Sequence, residues 1–245
     1  MATAQSETTL GEEMSWTTFK ARIQNFHNWP SSFRANVWFR GQANPAWRLQ
    51  PSIDRLFAFE SREDRTDRLA ELLRAFWKHA NGLHRHRLKS STSATAEMIA
   101  RHHGLPTSLL DWSASPYVAA FFALQEAPLH GCNAVSVWIM RRTLLDDKAL
   151  QQIELIEPDE TAPTNRRAVE QKSMFLRLNS EARFVDAIVP REALQRFDIY
   201  INDRKLALTE LDSMNITARS MFRSMDGAAR TALLRVQDYE LVNNE

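Results

Sequence analysis

Three short stretches place polar or charged groups among bulky apolar ones, where a plain core would not. The first is Trp38-Phe39-Arg40-Gly41-Gln42. A guanidinium ending an aromatic strand is costly unless paired, and it offers a planar fork to phosphate or carboxylate. Gly41 beside it leaves room for close approach of a ligand. The competing reading is an exposed arginine on an edge-strand turn. The second stretch, Arg101 to Pro116, gathers His102, His103, Thr107, Ser108, Asp111, Ser113 and Ser115 into a turn-rich segment. Histidine titrates near neutrality, and hydroxyls beside a helix N-terminus hold anions. Alternatively the hydroxyls cap helices, the role that suits Ser115 best, and Asp111 and one histidine are satisfied in the core. The third stretch, Thr164 to Phe175, sets Glu170 and Gln171 after a loop and before an apolar strand. A carboxylate or amide there orients a sugar hydroxyl or stabilises a cationic transition state. The alternative is a solvated charge run.

Other features carry less. Lys78, Arg85, Arg87 and Lys89 with His79, His84 and His86 make a basic run, suited to a phosphate backbone or to a solvated helix end. His84-x-His86 with His102-His103 is a poor zinc signal without cysteines or an HExxH spacing. Cys132, just before an apolar strand, reads as a small core residue, and no GxSxG elbow occurs.

The elements that must position these groups follow from periodicity. Trp16, Phe19 and Ile23 predict a short amphipathic helix, and residues 1–15 read as a flexible lead-in. Val37 to Arg40 predict a strand, and Pro51 to Arg55 a turn. Leu69, Leu72, Leu73, Phe76 and Trp77 form the clearest apolar stripe, on a helix from Asp64 to Ala80 that Asn81-Gly82 ends. A helix from Ala94 to His103 stops at Gly104. Ser115-Pro116 open a buried helix over Tyr117 to Gln125. Val135, Val137 and Ile139 predict a strand, Leu150 to Thr164 the most loop-like stretch, and Phe184 to Val189 another strand. Pro190 starts a helix in this reading, with further helices at Thr209 to Asn215 and Asp226 to Val236. Helix and strand alternate without a fixed period, so the expectation is a single α+β domain over residues 16–245, with small mixed or antiparallel sheets flanked by helices.

Composition bounds the function. The 245 residues carry 31 Lys plus Arg against 30 Asp plus Glu, a net charge of +1, which excludes a grossly basic nucleic-acid coat. Hydrophobic residues at 44% and charged residues at 25% exclude wholesale disorder. A single cysteine can make neither an internal disulfide nor a cysteine-rich zinc site, and points to a reducing cytoplasm. No signal-peptide pattern and no membrane-length apolar run is present, so the expectation is a cytoplasmic protein without membrane attachment. Only six glycines occur, and neither GxGxxG nor GxxxxGK[ST] is among their patterns, which removes the Rossmann and P-loop readings. Among seven tryptophans, Trp38, Trp47 and Trp112 flank the motifs.

Taken together, the stretches resemble the FRG domain, a bacterial and phage-borne family named for a Phe/Tyr-Arg-Gly motif. Trp38-Phe39-Arg40-Gly41-Gln42 with Trp47-Arg48-Leu49-Gln50-Pro51-Ser52 is similar to its opening strand and turn, and the run from Arg101 to Ala123 to its longest motif. Gln171-Lys172-Ser173-Met174-Phe175 resembles its third block, and Met214 to Gly227 its C-terminal block. Arg223 and Ser224 stand where that block usually has proline and aspartate, and Ser108 where an arginine commonly follows Pro-Thr.

The order of arginine, hydroxyl stretch and Glu/Gln block also resembles the Arg-Ser-Glu arrangement of ADP-ribosyltransferases. That resemblance implies an ADP-ribosyltransferase-like fold and NAD as substrate, with no metal. It puts the phosphate-binding arginine at Arg40 beside Gly41 and Gln42, and the bracing hydroxyl at Thr107, Ser113 or Ser115. Glu170 or Gln171 becomes the ribose-orienting group; His102, His103 and Asp111 have no fixed place in that arrangement and are read as lining the same pocket. The implied function is an intracellular toxin or phage-defence effector that transfers ADP-ribose to a protein or nucleic acid, or hydrolyses NAD. One alternative is a non-catalytic module binding a nucleotide, nucleic acid or protein through the same cleft. Another is phosphodiester or nucleotide hydrolysis by the His-His-Asp stretch.

Overall fold

The two-residue period of Val37-Trp38-Phe39-Arg40-Gly41-Gln42 makes a strand with two unlike faces, and much of the surrounding fold follows from how each face is covered. The computed structural model describes residues 11–27, 35–80, 93–127, 131–157 and 170–237.

Along the chain, Glu12–Met14 form strand β1, inside the segment read as a lead-in. Helix α1 (Trp16–His27) and strand β2 (Val37–Gln42) follow. Pro51, read as part of a turn, instead stands as the N-cap residue of a short helix, α2 (Ser52–Leu56), with an extended ψ of 150°. Helix α3 (Arg62–His79) begins two residues before the expected start, where Ser61 and Asp64 form a reciprocal capping box. Its expected stop at Asn81-Gly82 lies outside the described residues, as do Arg85, Arg87, Lys89, His84 and His86. Ser93 caps α4 (Ala94–His102). The stretch read as turn-rich contains strand β3 (Leu109–Ser113). Ser115 caps α5 (Pro116–Glu126) by accepting from the Val118 N–H, as expected.

Strand β4 (Ala134–Arg141) extends the predicted one. In place of a loop, residues 147–156 form α6 (Asp147–Gln152), capped by Asp146, and β5 (Ile153–Ile156). Residues 158–164 of that expected loop lie outside the description. β6 (Ser173–Leu178) carries the apolar Met-Phe-Leu run. The predicted strand at 184–189 is a 3-10 turn, Val185–Ala187, since its polar bonds go to residues 48–49. Val185 N–H donates to the Leu49 carbonyl, and Asp186 accepts from the Leu49 N–H at 3.0 Å and Arg48 Nε at 2.8 Å. Pro190 leads through another short turn into β7 (Leu194–Tyr200) rather than into a helix, because seven residues pair with β4. Helices α7 (Arg204–Ser213), α8 (Ala218–Phe222) and α9 (Met225–Gln237) complete the description.

Two units emerge. The first combines Met1–Trp47, Ala114–Thr143 and Glu192–Glu245; the second combines Arg48–Ser113 and Leu144–Arg191. In the first unit the strand order is β1-β7-β4-β2, with β1 parallel to β7 and the other neighbours antiparallel. Its core packs α1, α5, α7 and α8 on one sheet face, with Trp16, Phe19, Phe39, Phe121, Val137 and Phe197 buried. Arg204 Nε donates to the Leu124 carbonyl at 2.7 Å, satisfying one open end of α5. In the second unit β3-β6-β5 is wholly antiparallel, and Met98, Leu109 and Phe175 form a small core. Helices and strands thus combine with mixed pairing in the first unit and antiparallel pairing in the second, which agrees with the expected mixture of helix and sheet and goes no further toward the ADP-ribosyltransferase-like fold. No helix among the described residues is long and apolar enough to cross a membrane.

Helix α5 sits on β2 at its one residue without a side chain. A Cβ on Gly41 would lie 1.9 Å from the Ala119 carbonyl oxygen and 2.9 Å from the Ala123 nitrogen, both helix backbone. Backbone cannot swing aside as a long side chain does, so Gly41→Ala must push the helix off the sheet. The expected cost is about 3 kcal/mol or more, at the upper end for overpacking. Urea unfolding checks it; a loss below about 1 kcal/mol would show that the contact yields easily.

Candidate functional site

Strand alternation decides where the first motif points. Val37 and Phe39 enter the first unit's core, so Trp38, Arg40 and Gln42 belong to the opposite sheet face. Register continues that face across β4 and β7. Arg40 lies opposite Trp138, which lies opposite Arg196; Gln42 lies opposite Ser136, which lies opposite Asp198. The result is a row of arginine, indole and arginine beside a row of amide, hydroxyl and carboxylate.

These polar groups hold one another. Trp138 Nε1 donates to Gln42 Oε1 at 2.6 Å, and Ser136 Oγ to Asp198 Oδ1 at 2.5 Å. Arg196 donates to Asp198 at 2.9 Å and to the Pro45 carbonyl at 3.0 Å, with its guanidinium 5.4 Å from the Trp138 ring. Gln42, Ser136, Arg196 and Asp198 are buried, while Arg40 is half-buried. Gly41 departs from expectation: helix α5 fills the space in which a ligand was to approach. Gln42 serves the indole rather than standing open. Of the expected groups in this unit, Arg40 is the one with a partly exposed polar side chain set in the sheet face, and Ser115 is a helix cap.

The second unit holds the remaining candidates. Arg101, at the end of α4, clamps Asp111 of β3 through Nε at 2.8 and 2.7 Å and through its terminal nitrogen. Burial works against the charge on Arg101, but Asp111 beside it raises its proton affinity above the ordinary value. The same guanidinium donates to Ser52 Oγ at 3.0 Å, and that hydroxyl accepts from the Thr107 N–H at 2.9 Å. Thr107 is fully buried. His102 lies tilted on Phe175 and His103 stacks on Phe76, each with ring centroids 6.3 Å apart. Asp111 is thus paired with an arginine of the preceding helix. Among the described residues no group of three His, Cys, Asp or Glu is arranged to hold a metal.

The hydroxyl and Glu/Gln stretches do meet. Ser113, at the end of β3, donates its hydroxyl to the Gln171 carbonyl at 2.7 Å, and Ser173 Oγ donates to Gln171 Oε1 at 3.3 Å. Lys172 between them takes a left-handed φ of 46°, which turns the chain sharply into β6. Glu170 is half-buried one residue before that turn. Residues 164–169 of this stretch lie outside the described ones.

Sequence reasoning missed a second set of charges. Glu97 is buried and accepts from the Ser108 N–H at 2.9 Å, from Ser108 Oγ at 2.7 Å and from Arg177 at 2.6 Å. Arg177 Nε also donates to Ser108 Oγ at 3.0 Å, so a guanidinium from β6 reaches the position where the resemblance expects an arginine at residue 108. Asp54 and Arg65 form a buried pair at 2.7 Å. The available signal was helical spacing: Arg62, Arg65, Thr66, Leu69 and Leu73 share one face of α3.

Residues 35–131 match the family model described as the FRG domain. The match runs from β2 through α5; the Gln171 and Met214 blocks fall beyond it. Neither the curated proteins nor the solved structures compared with this chain give a match.

Burial pushes the Asp54 carboxyl up from its ordinary 3.8, against the opposing pull of Arg65 and Arg183. A raised folded value means the native state binds the proton more tightly than the unfolded chain. The resulting stability is complete below the ordinary value and is lost as pH rises through the folded one. Asp54→Asn should therefore flatten the fall in urea midpoint as pH climbs above 3.8; a variant with the wild-type slope would assign that slope to other groups.

Proposed function

Because the chain carries an FRG domain over residues 35–131, we propose that it is an NAD-binding, ADP-ribosyltransferase-like enzyme acting inside the cell as a toxin or phage-defence effector. The observation that carries this reading is the Ser113 hydroxyl on the Gln171 carbonyl at 2.7 Å, a bracing serine joined to the Glu/Gln block. In the second unit the braced turn offers the Glu170 carboxylate or the Gln171 amide to a ribose. In the first unit, Arg40 offers a guanidinium beside an indole to a diphosphate.

The reaction asks little covalent chemistry of the protein. The bond from ribose C1′ to the nicotinamide nitrogen breaks, its electron pair leaves with neutral nicotinamide, and positive charge develops on the ribose. An acceptor nucleophile or water closes on C1′ and gives up a proton. A carboxylate held against the ribose stabilises that charge, and fixed donors on the diphosphate supply positioning. The absence of a glycine-rich loop is compatible with this, since an arginine grips the phosphates instead.

One observation favours binding without turnover: the Gln171 amide at the turn is held by Ser173, and an amide carries no charge to oppose an oxocarbenium ion. Both readings meet in one experiment. Purified protein is incubated with NAD, nicotinamide release is followed, and melting is measured with and without NAD. The enzyme reading expects release that falls on the order of 100-fold or more in Arg40→Ala and Glu170→Ala, and less in Ser113→Ala. A melting shift with no release, lost in Arg40→Ala, is the result expected of a binding module. Neither release nor shift sinks both.

A further inference from the structure

Helix α9 is apolar on two opposite faces, and its own unit uses one of them. The inner face carries Gly227, Thr231 and Leu234, all buried, with Leu234 in the first unit's core. A Cβ on Gly227 would lie 2.6 Å from the Ala218 carbonyl oxygen of α8, so the two helices meet where that side chain is missing. Thr231 Oγ1 accepts from the Arg219 N–H at 2.7 Å and donates to the Gly227 carbonyl at 3.0 Å. These contacts fix the rotation of α9 about its own axis. The opposite face follows from that rotation. Met225, Ala229, Ala232 and Val236 recur at spacings of four, three and four, the seam of a two-helix pair, and all four are exposed. Met225 is 85% exposed and Val236 71%, with Leu233 beside them at 54%. Solvent-facing helix positions are ordinarily polar, so this seam has the composition of a covered surface.

The residues of the seam choose its occupant. From either end it runs large, small, small, large. A second α9 laid antiparallel on the first by a two-fold axis sets Met225 against Val236 at both ends. Ala229 then meets Ala232 in the middle, where small side chains let the helices come close. The charges reverse in the same way. The axis that exchanges positions 225 and 236 also exchanges 226 and 235, so Asp226 of one copy and Arg235 of the other stand at one level of the seam, at both ends. Arg235 spends one nitrogen on Asp212 of α7 at 2.9 Å, and its side chain remains 56% exposed. Arg230 lies about 120° round the helix from the middle of the seam, with its guanidinium 5.5 Å from the Phe222 ring, so like charges are not brought together there. Antiparallel helix dipoles favour the same arrangement. A bilayer is served poorly, because the two central alanines offer it little apolar area.

We infer that α9 is a homodimer interface, two copies of this chain pairing antiparallel along Met225, Ala229, Ala232 and Val236. One thirteen-residue helix per copy is small beside the interface of a stable dimer, about 1,200–2,000 Å², so the dimer is weak, with a Kd on the order of 100 μM. It stands apart from the NAD reading and uses neither Arg40 nor Gln171.

Sedimentation equilibrium of the full chain, from micromolar to millimolar concentration, tests it. The expected result is a reversible monomer–dimer equilibrium. Ala232→Glu, on an exposed residue, should weaken it at least about tenfold, and Arg74→Glu, on an exposed residue of α3, should leave it unchanged. Ala232→Leu separates close pairing from plain stickiness: it adds apolar area, yet should weaken the dimer by forcing the helices apart. Crosslinking reads the direction. On a Cys132→Ser background, Met225→Cys and Val236→Cys proteins are mixed and oxidised, and antiparallel pairing gives the mixed disulfide. Each alone should stay uncrosslinked, because identical positions then lie about 16 Å apart along the seam. Melting curves show which variants fold, and should Ala232→Glu unfold, the crosslink decides. A monomer at every concentration overturns the proposal. So does a dimer that Ala232→Glu leaves intact, one that Ala232→Leu tightens, or crosslinks within each single variant in place of the mixed one. A monomer that sediments with phosphatidylserine vesicles, and ceases to in Ala232→Glu, overturns it in favour of a membrane.

Discussion

The absence of a side chain at Gly41 is the constraint on which the first unit depends. It lets the backbone of α5 lie directly on β2, with the Ala119 carbonyl where any other residue would place its Cβ. That approach brings Val118, Phe121 and Leu124 into the core and fixes which face of the strand is apolar. Arg40 and Gln42 are then obliged to take the other face, because a strand cannot turn one residue without turning its neighbours. The arginine's placement is thus a by-product of packing on the far side of the sheet. Glycine's part in the motif is structural, and Arg40 stands half-buried on the other face.

Where the sequence was legible, one local signal sufficed. The stripe on α3, the Ser115-Pro116 start of α5 and the alternation of β4 each specify an element without help from elsewhere. The failures share a different cause. Leu109–Ser113 and Leu194–Tyr200 become strands because partners far along the chain pair with them, and the neighbouring turn and proline signals are overruled. Phe184 to Val189 looks like a strand by composition, yet Asp186 in its middle is tied to residues 48 and 49. Of the site, the meeting of Ser113 with Gln171 was legible as two motifs, whereas Glu97, Arg177, Asp54 and Arg65 were not, since no motif marks a pair whose members come from different elements.

Those unmarked pairs explain how a near-neutral chain hides so much organised charge. Arg101 with Asp111, Arg177 with Glu97, Arg65 with Asp54 and Arg196 with Asp198 are each hydrogen-bonded as well as paired. Exposed pairs contribute little, but partly buried, fully bonded ones fix geometry, because breaking one leaves a desolvated charge behind. The formal charge of +1 therefore says little about where charge is organised in the fold. Arginine supplies the cation in all four, as suits a planar fork meeting a carboxylate.

The interleaving of the two units has a consequence for the order in which the protein can assemble. β7 lies between β1 and β4, so strands made early wait for one made late. Until residues 194–200 have left the ribosome, β4 exposes an unpaired edge and β1 has no neighbour at all. The second unit's segments are complete by residue 191, so that unit can close first. It does so while β4, paired with β2 on one side, still lacks β7 on the other, a period in which an open strand edge invites pairing with other chains. The order of synthesis thus leaves closure of the first unit's sheet to its last strand.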